Sequence, residues 1–285
     1  MSGHVIVVGA GTMGHGIAQV AAMAGYDVVL MDTTSALVER GIARITANLD
    51  EGVRRGKLQE AQRDAALAQI TPLTSLVGAA PDAFLAIEAV PERIDLKQAV
   101  LADLEAHTSP NTIIASNTSS LSITRLQRTA SRPHQVVGMH FFNPVHINAL
   151  LELVRGAETA PATMDAAVTF ARRIGKDAVV VNDSPGFATS RLGVLLGLEA
   201  IRMVESGVAS AADIDKAMEL GYRHPMGPLR LTDLVGLDVR LDIARYLHAE
   251  LRSEAFRPPA LLERMVAEGR LGKKSGSGFY EWSES

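Results

Sequence analysis

Two side chains that can exchange a proton, His140 and Glu152, lie 12 positions apart in an otherwise apolar stretch. The segments 136–139 and 150–154 have the pattern of short buried strands, with His140 at the end of the first and Glu152 as the only charge in the second. A buried carboxylate is costly unless a partner satisfies it, and an imidazole is a suitable partner. The pattern predicts an acid–base pair that moves a proton in a redox reaction, and a purely structural hydrogen bond is the alternative.

The start of the chain has the order of elements found in a dinucleotide-binding unit. A β-branched run over residues 5–8 leads into a glycine-rich turn, a helical pattern follows, and a second apolar run over 28–31 stops at Asp32. In such a turn the first glycine permits the sharp bend, the second admits the pyrophosphate and the third allows close helix–strand packing. The helix N-terminus then offers N–H groups to the diphosphate. The turn residues are Gly9, Ala10, Gly11, Thr12, Met13 and Gly14.

Asp32 selects between the two nicotinamide cofactors. It lies 23 positions after Gly9, close to the spacing of about 20 that is typical of the ribose-binding acid. Its carboxylate can accept hydrogen bonds from the adenosine ribose and would repel a 2′-phosphate, and no arginine directly follows it. NAD is therefore favoured over NADP, and a glycine-rich structural turn is the alternative for the whole motif.

Polar side chains follow two further predicted strands, 84–89 and 112–115, where a doubly wound sheet binds its ligands. Glu92 comes after the first strand, and Lys97 follows on a helix. Five small polar residues, 116–120, come after the second strand. These five suit hydrogen bonding to substrate or nicotinamide, and an ordinary N-cap for the next helix is the alternative.

Three basic residues, Arg54, Arg55 and Lys57, cluster in a predicted helical section over 35–70 that breaks near residues 52–56. One interpretation is a solvated helix face without a binding role, because most charged residues lie at the surface. The alternative is a clamp for a phosphate-bearing substrate.

The element pattern predicts an α/β fold, a Rossmann-type doubly wound sheet, followed by an all-α C-terminal domain. Strands and helices alternate up to residue 181, and the turn cluster 182–186 indicates the boundary between domains 1–184 and 185–285. Beyond it we predict a helix covered on several sides over 192–204, one long helix over 229–250 and a last helix from 258 to 269.

Composition excludes several classes of protein. The 285 residues are 47% hydrophobic, which is enough for a substantial core, and carry a net charge of −4, which argues against a nucleic-acid partner held by bulk electrostatics. The absence of cysteine excludes disulfides and thiolate chemistry. No run approaches the roughly 20 apolar residues of a membrane helix, and no leader pattern precedes the first strand. We expect a cytoplasmic protein without a membrane partner, and we predict no metal site.

Taken together, the motifs resemble the 3-hydroxyacyl-CoA dehydrogenase family, and specifically its single-function 3-hydroxybutyryl-CoA type. They span nearly the whole chain in the family's order, so that the set is far more specific than any one member. The matching motifs are GAGTMG (9–14), EAVPE (88–92), SNTSSLSI (116–123), HFFNPV (140–145), DSPGF (183–187), HPMGP (224–228) and KKSGSGFYEW (273–282).

The resemblance implies a role for each candidate residue. Ser119 would hold the C3 oxygen of the substrate, His140 would be the general base and Glu152 would orient it. The cluster with Arg54 and Lys57 would contact the coenzyme A part of an acyl-CoA substrate, and the helical domain would form a homodimer. The residues on the nicotinamide side of NAD would be Glu92, Lys97, Asn117 and Asn143.

Ser190 departs from the family pattern, because many members have an active-site asparagine at this position. Serine can also hydrogen-bond but is shorter, so the resemblance implies that Ser190 plays the same catalytic part with a shorter reach. Two other functions stay open from the sequence: a dehydrogenase of the same fold that acts on a free hydroxy acid such as a sugar acid or carnitine, and a non-catalytic NAD-sensing protein.

Overall fold

The computed structural model describes residues 3–282 and divides into two compact units, Met1–Ser184 and Pro185–Ser285. Residues 1–2 and 283–285, which belong to the two predicted domains, lie outside the described residues. No helix in the described part of the chain has the length and apolar character needed to cross a lipid bilayer.

The first unit is built on an eight-stranded sheet with the order β3-β2-β1-β4-β5-β6-β7-β8. Neighbouring strands are parallel except for β6 and β7, which are antiparallel. The carboxyl ends of β1, β2, β4, β5 and β6 therefore meet at one edge, which we call the carboxyl edge. The strands are β1 (His4–Val8), β2 (Asp27–Met31), β3 (Ile70–Leu73), β4 (Leu85–Glu88), β5 (Ile113–Ser116), β6 (Val136–Phe141), β7 (Leu150–Arg155) and β8 (Asp177–Asn182).

Helices connect these strands and complete the unit. The inner strands are buried along most of their length, as the near-continuous apolar runs predict for parallel strands covered on both faces. This arrangement confirms the predicted fold class. The helices are α1 (Gly14–Met23), α2 (Ser35–Arg54), α3 (Glu60–Ala68), α4 (Ile94–His107), α5 (Ile123–Gln127) and α6 (Pro161–Arg173), and a 3₁₀ turn covers Pro133–Gln135.

The second unit is helical, as predicted, and has an apolar core of its own. Gly236 separates two helices with a positive φ of 104°, a conformation that glycine adopts readily. Two 3₁₀ turns, Glu254–Phe256 and Lys273–Ser275, complete the unit. The helices are α7 (Thr189–Glu205), α8 (Ala211–Gly221), α9 (Pro228–Val235), α10 (Leu237–Leu251) and α11 (Ala260–Ala267).

Several predicted boundaries are wrong. The section 35–70 divides into two helices close to the predicted break at residues 52–56, but its end is the start of β3, a strand that the sequence pattern missed because Pro72 interrupts its short apolar run. The predicted helix 229–250 is two helices, because Gly236 ends α9. The prediction of several covered sides for 192–204 is wrong for one side, since Leu192 is 61% exposed and Leu196 is 42% exposed in the chain.

Candidate active site

The register of β6 and β7 brings His140 and Glu152 directly opposite each other. The strand β6 continues to Phe141, so His140 lies within it rather than at its end. The Nδ1 atom of His140 is 2.8 Å from Oε2 of Glu152, and both residues are buried. Because a carboxylate can only accept, Nδ1–H donates, and Nε2 of the neutral ring is left as the basic nitrogen. The Phe142 ring packs against the imidazole with a centroid distance of 4.3 Å.

Asn117 links the end of β5 to this pair. Its side-chain Oδ1 accepts a hydrogen bond from the backbone N–H of Phe141 at 2.9 Å. The backbone N–H of Asn117 donates to the backbone carbonyl of Glu88. The buried amide thereby fixes the strand residue next to His140. The side-chain oxygen of Asn117 therefore positions strand β6 at this site. Its predicted contact with NAD stays a prediction.

The Glu92 carboxylate accepts hydrogen bonds from the loop of residues 116–120, which carries Ser119 and which we call the serine loop. Its Oε1 accepts from the hydroxyl of Thr118 at 2.5 Å, and from the backbone N–H groups of Ser119 at 3.0 Å and Ser120 at 3.1 Å. The N-cap of α5 is Ser122, whose hydroxyl accepts from the Arg125 N–H. The N-cap alternative for residues 116–120 is therefore wrong, and this loop is shaped by the Glu92 carboxylate instead.

Lys97 is fully buried, and its ammonium is 2.9 Å from both carboxylate oxygens of Glu88, the last residue of β4. The same ammonium donates to the carbonyl of Val90 at 3.2 Å and is 3.4 Å from Oε2 of Glu92. Burial raises the pKa of Glu88, and the charge of Lys97 opposes that shift. In this arrangement Lys97 acts on Glu92, so a role of Lys97 toward NAD runs through that carboxylate.

Glu88 is a site residue for which no role was predicted, whereas Ser116 and Thr118 belong to the predicted polar run 116–120. Ser116 pairs with Glu88 in the β4–β5 register, and its hydroxyl donates to the buried carboxylate. The signal that could have found Glu88 is the one that identified Glu152, an isolated charge in an apolar strand.

The glycine-rich turn has the shape that a dinucleotide needs. A Cβ on Gly14 would lie 1.6 Å from the carbonyl oxygen of Gly9, so only glycine allows this approach of α1 to the turn. A Cβ on Gly11 would meet nothing within 4 Å, which leaves open space at the exposed tip of the turn. Thr12 is exposed there, and Met13 precedes α1 without a side-chain cap, so the first N–H groups of the helix suit an anionic ligand.

Asp32 follows β2 at the carboxyl edge and braces this turn. Its Oδ2 accepts from the backbone N–H of Ala10 at 2.8 Å, and its Oδ1 accepts from that of Thr33 at 2.7 Å. The residue is half-buried, so a carboxylate face stays accessible for ribose hydroxyls. The residues of this edge therefore fit NAD.

The four remaining candidates are Arg54, Lys57, Asn143 and Ser190. Arg54 is 73% exposed in its side chain and shares Glu51 with Arg55, and Lys57 is exposed, so both interpretations of this cluster stay open. Asn143 is exposed after β6, and its carbonyl accepts from the Asn148 amide at 2.8 Å. Ser190 lies in the first turn of α7 in the second unit. The roles predicted for these residues stay predictions.

Nicotinamide-dependent dehydrogenases typically combine a dinucleotide-binding sheet with a buried histidine–carboxylate pair, and this unit has both. Two sequence profiles match this chain, "3-hydroxyacyl-CoA dehydrogenase, NAD binding domain" over residues 4–184 and "3-hydroxyacyl-CoA dehydrogenase, C-terminal domain" over residues 186–282. The chain belongs to the 3-hydroxyacyl-CoA dehydrogenase family and is an NAD-dependent oxidoreductase.

Relatives cover the whole length of the chain. A 3-hydroxybutyryl-CoA dehydrogenase of Mycobacterium tuberculosis is 45% identical over 97% of this chain and 97% of the relative. A probable 3-hydroxybutyryl-CoA dehydrogenase of Bacillus subtilis is 41% identical over 98% and 97%. The crystal structure of (S)-3-hydroxybutyryl-CoA dehydrogenase from Ralstonia eutropha is 42% identical and superposes with a TM-score of 0.96 over 100% of both chains.

Proposed function

We propose that the protein interconverts (S)-3-hydroxybutyryl-CoA and acetoacetyl-CoA, with His140 as the general acid and base. The observation that carries this proposal is the buried 2.8 Å contact between His140 and Glu152, because it leaves Nε2 as the nitrogen that can take a proton. The names of the full-length relatives support the butyryl chain length and the S configuration.

The proposed reaction takes 3-hydroxyacyl-CoA and NAD⁺ to 3-oxoacyl-CoA, NADH and a proton. Bound NAD⁺ supplies the acceptor for the hydride that leaves C3 of the substrate. His140 takes the hydroxyl proton on Nε2, and Glu152 holds the ring in the required tautomer and stabilises the imidazolium. The same imidazolium returns the proton in the reverse direction, so the pair serves both directions.

Ser119 would hold the C3 oxygen of the substrate, and Ser190 would play the part of the family's active-site asparagine with a shorter reach. The fixed backbone of the serine loop supports this role for Ser119, since Glu92 accepts its N–H at 3.0 Å. NAD would lie along the turn 9–14 with Asp32 at its adenosine end. Its nicotinamide end would contact Glu92, Asn117 and Asn143, with Lys97 acting through Glu92.

The substrate class can be tested with NADH and a pair of electrophiles. Acetoacetyl-CoA should be reduced, whereas free acetoacetate should be a poor substrate, because it lacks the coenzyme A that Arg54 and Lys57 would contact. Reduction of both at similar kcat/KM would favour the free hydroxy acid alternative. Lys57→Ala should raise KM for acetoacetyl-CoA severalfold with little change in kcat, and Lys216→Ala, which removes an exposed lysine of α8, serves as the control.

We also propose a homodimer formed by the helical domain. Exposed apolar residues on α7, Leu192 and Leu196, support this proposal because large exposed apolar side chains are typical of interfaces. Sedimentation should give about twice the 30.3 kDa of one chain, and the double variant Leu192→Asp, Leu196→Asp should sediment as a monomer. A monomeric wild-type protein would contradict the proposal.

A further inference from the structure

Three charged side chains lie in a row at the carboxyl edge: Glu88, Lys97 and Glu92. Lys97 is buried between two carboxylates, with Glu88 at 2.9 Å and Glu92 at 3.4 Å. Four contacts converge on the Glu88 carboxylate: two from the Lys97 ammonium, one from the Ser116 hydroxyl and one from the backbone N–H of Val90 at 3.1 Å. An acceptor for so many donors is an ionised carboxylate.

The two carboxylates and the single ammonium leave one negative charge uncompensated. Glu88 is fully buried and held bidentately, so Lys97 neutralises Glu88 first. Glu92 is 38% exposed in its side chain and is therefore the group that carries the excess charge to the surface of the site. The neighbouring Arg93 does not offset it, because its guanidinium pairs with Asp95 at 2.5 Å.

The fold indicates which part of the cofactor meets this charge. Asp32 at the end of β2 marks the adenosine side, and the glycine-rich turn follows β1. A dinucleotide that crosses the end of β1 from β2 continues over β4 and β5, where Glu92 and the serine loop lie. The nicotinamide end is therefore the end nearest to Glu92.

The nicotinamide ring is cationic in NAD⁺ and neutral in NADH, so a fixed charge beside it discriminates between the two forms. We propose that the Glu92 carboxylate, which stays uncompensated because Lys97 neutralises Glu88, sets the preference between oxidised and reduced cofactor and favours NAD⁺. The inference rests on the proposed orientation of NAD. In this proposal Glu88 and Lys97 form a fixed neutral pair, and the charge of Glu92 acts on the nicotinamide ring.

The four contacts that Glu92 makes with the serine loop keep the charge in position. Its Oε1 alone accepts from Thr118, Ser119 and Ser120, while Oε2 faces Lys97. Glu92→Gln can keep an oxygen acceptor toward these donors and removes the charge. Glu92 can therefore be neutralised with its length and its acceptor retained.

The test compares dissociation constants of NAD⁺ and NADH, measured by calorimetry and by NADH fluorescence on the full chain. The ratio Kd(NAD⁺)/Kd(NADH) should rise about 10-fold in Glu92→Gln, the effect of one charge acting over several ångströms at a protein surface. An unchanged ratio in Glu92→Gln would overturn the inference.

Two further measurements control for geometry and for general charge. Glu92→Asp and Glu92→Asn repeat the test with a shorter side chain, and only the asparagine variant should raise the ratio. Glu158→Gln makes the same charge change after the end of antiparallel β7, at the opposite edge of the sheet, and should leave the ratio unchanged. The outcome is independent of the proposed catalysis: failure of the proposed function removes turnover of acetoacetyl-CoA and leaves this ratio as predicted.

Discussion

The first unit buries two carboxylates within strands, and their partners differ. Glu152 faces the imidazole of His140, whereas Glu88 faces the ammonium of Lys97. An imidazole titrates near neutral pH and can pass its proton on, while an ammonium holds its charge at that pH. Under the proposed function, the same acid in the same kind of strand would serve proton transfer in one position and fixed electrostatics in the other.

The largest expected effect concerns the imidazole. His140→Gln should lower kcat by about 10² to 10⁴, since a positioned acid or base contributes that much, while Kd for NADH stays unchanged. Stopped-flow reduction of acetoacetyl-CoA measures the loss. His134→Gln, which replaces an exposed histidine outside the site, is the control. Near-normal turnover in His140→Gln would contradict the acid–base assignment.

The next effect concerns the Glu88–Lys97 pair and is measured as a change in the free energy of unfolding. Glu88→Ala leaves the Lys97 ammonium buried without its bidentate partner and should lower the free energy of unfolding by about 3–5 kcal/mol. Glu88→Gln combined with Lys97→Met removes both charges and should cost no more than about 2 kcal/mol. Urea denaturation measures both values. Equal losses in the two variants would show that the pairing of these charges is not what matters.

A smaller effect is expected at the other carboxylate. Glu152→Gln keeps an acceptor for Nδ1–H but removes the charge that stabilises the imidazolium, so kcat should fall about 10- to 100-fold, the usual cost of losing an orienting partner. KM for the acyl-CoA should change little. A larger rise in KM than fall in kcat would indicate that Glu152 shapes the substrate site instead.

The smallest effect lies in the pH dependence of stability. Burial raises the folded-state pKa of Glu88 above its ordinary value of 4.5, with Lys97 opposing. Because a raised folded-state pKa makes ionisation of Glu88 costlier in the folded chain than in the unfolded chain, its contribution to stability is full below the unfolded pKa and is lost as pH rises through the folded pKa. The free energy of unfolding of the wild type, relative to that of Glu88→Gln, Lys97→Met, should decline as pH rises from about 4.5. A relative increase in urea titrations would contradict this direction.

The sequence predicted this comparison only in part. Glu152 was identifiable because a single charge interrupts an apolar run, and the glycine-rich turn because its spacing is tied to backbone geometry. Lys97 was identifiable only through the family resemblance, and its burial was not, because a helix position does not reveal which strand it packs against. The different roles proposed for Glu88 and Glu92 depend on their distances from the Lys97 ammonium, which the spacing of residues along the sequence does not reveal.

Element types were easier to predict than their ends. The strands of the sheet follow from buried apolar runs, yet β3 was missed because Pro72 falls within its four residues. Gly236 was visible in the sequence, but its effect depends on its positive φ, which only the structure gives.

The antiparallel pairing of β6 with β7 has a consequence for how the protein loses activity on heating. His140 and Glu152 meet because their strands are in register within an interior part of the sheet, and a one-residue slip of either strand would turn its member of the pair to the other face. His140 lies in a strand and not in a hinged loop, so thermal inactivation should coincide with cooperative melting of the sheet rather than precede it. Residual activity and far-ultraviolet circular dichroism should then trace the same curve.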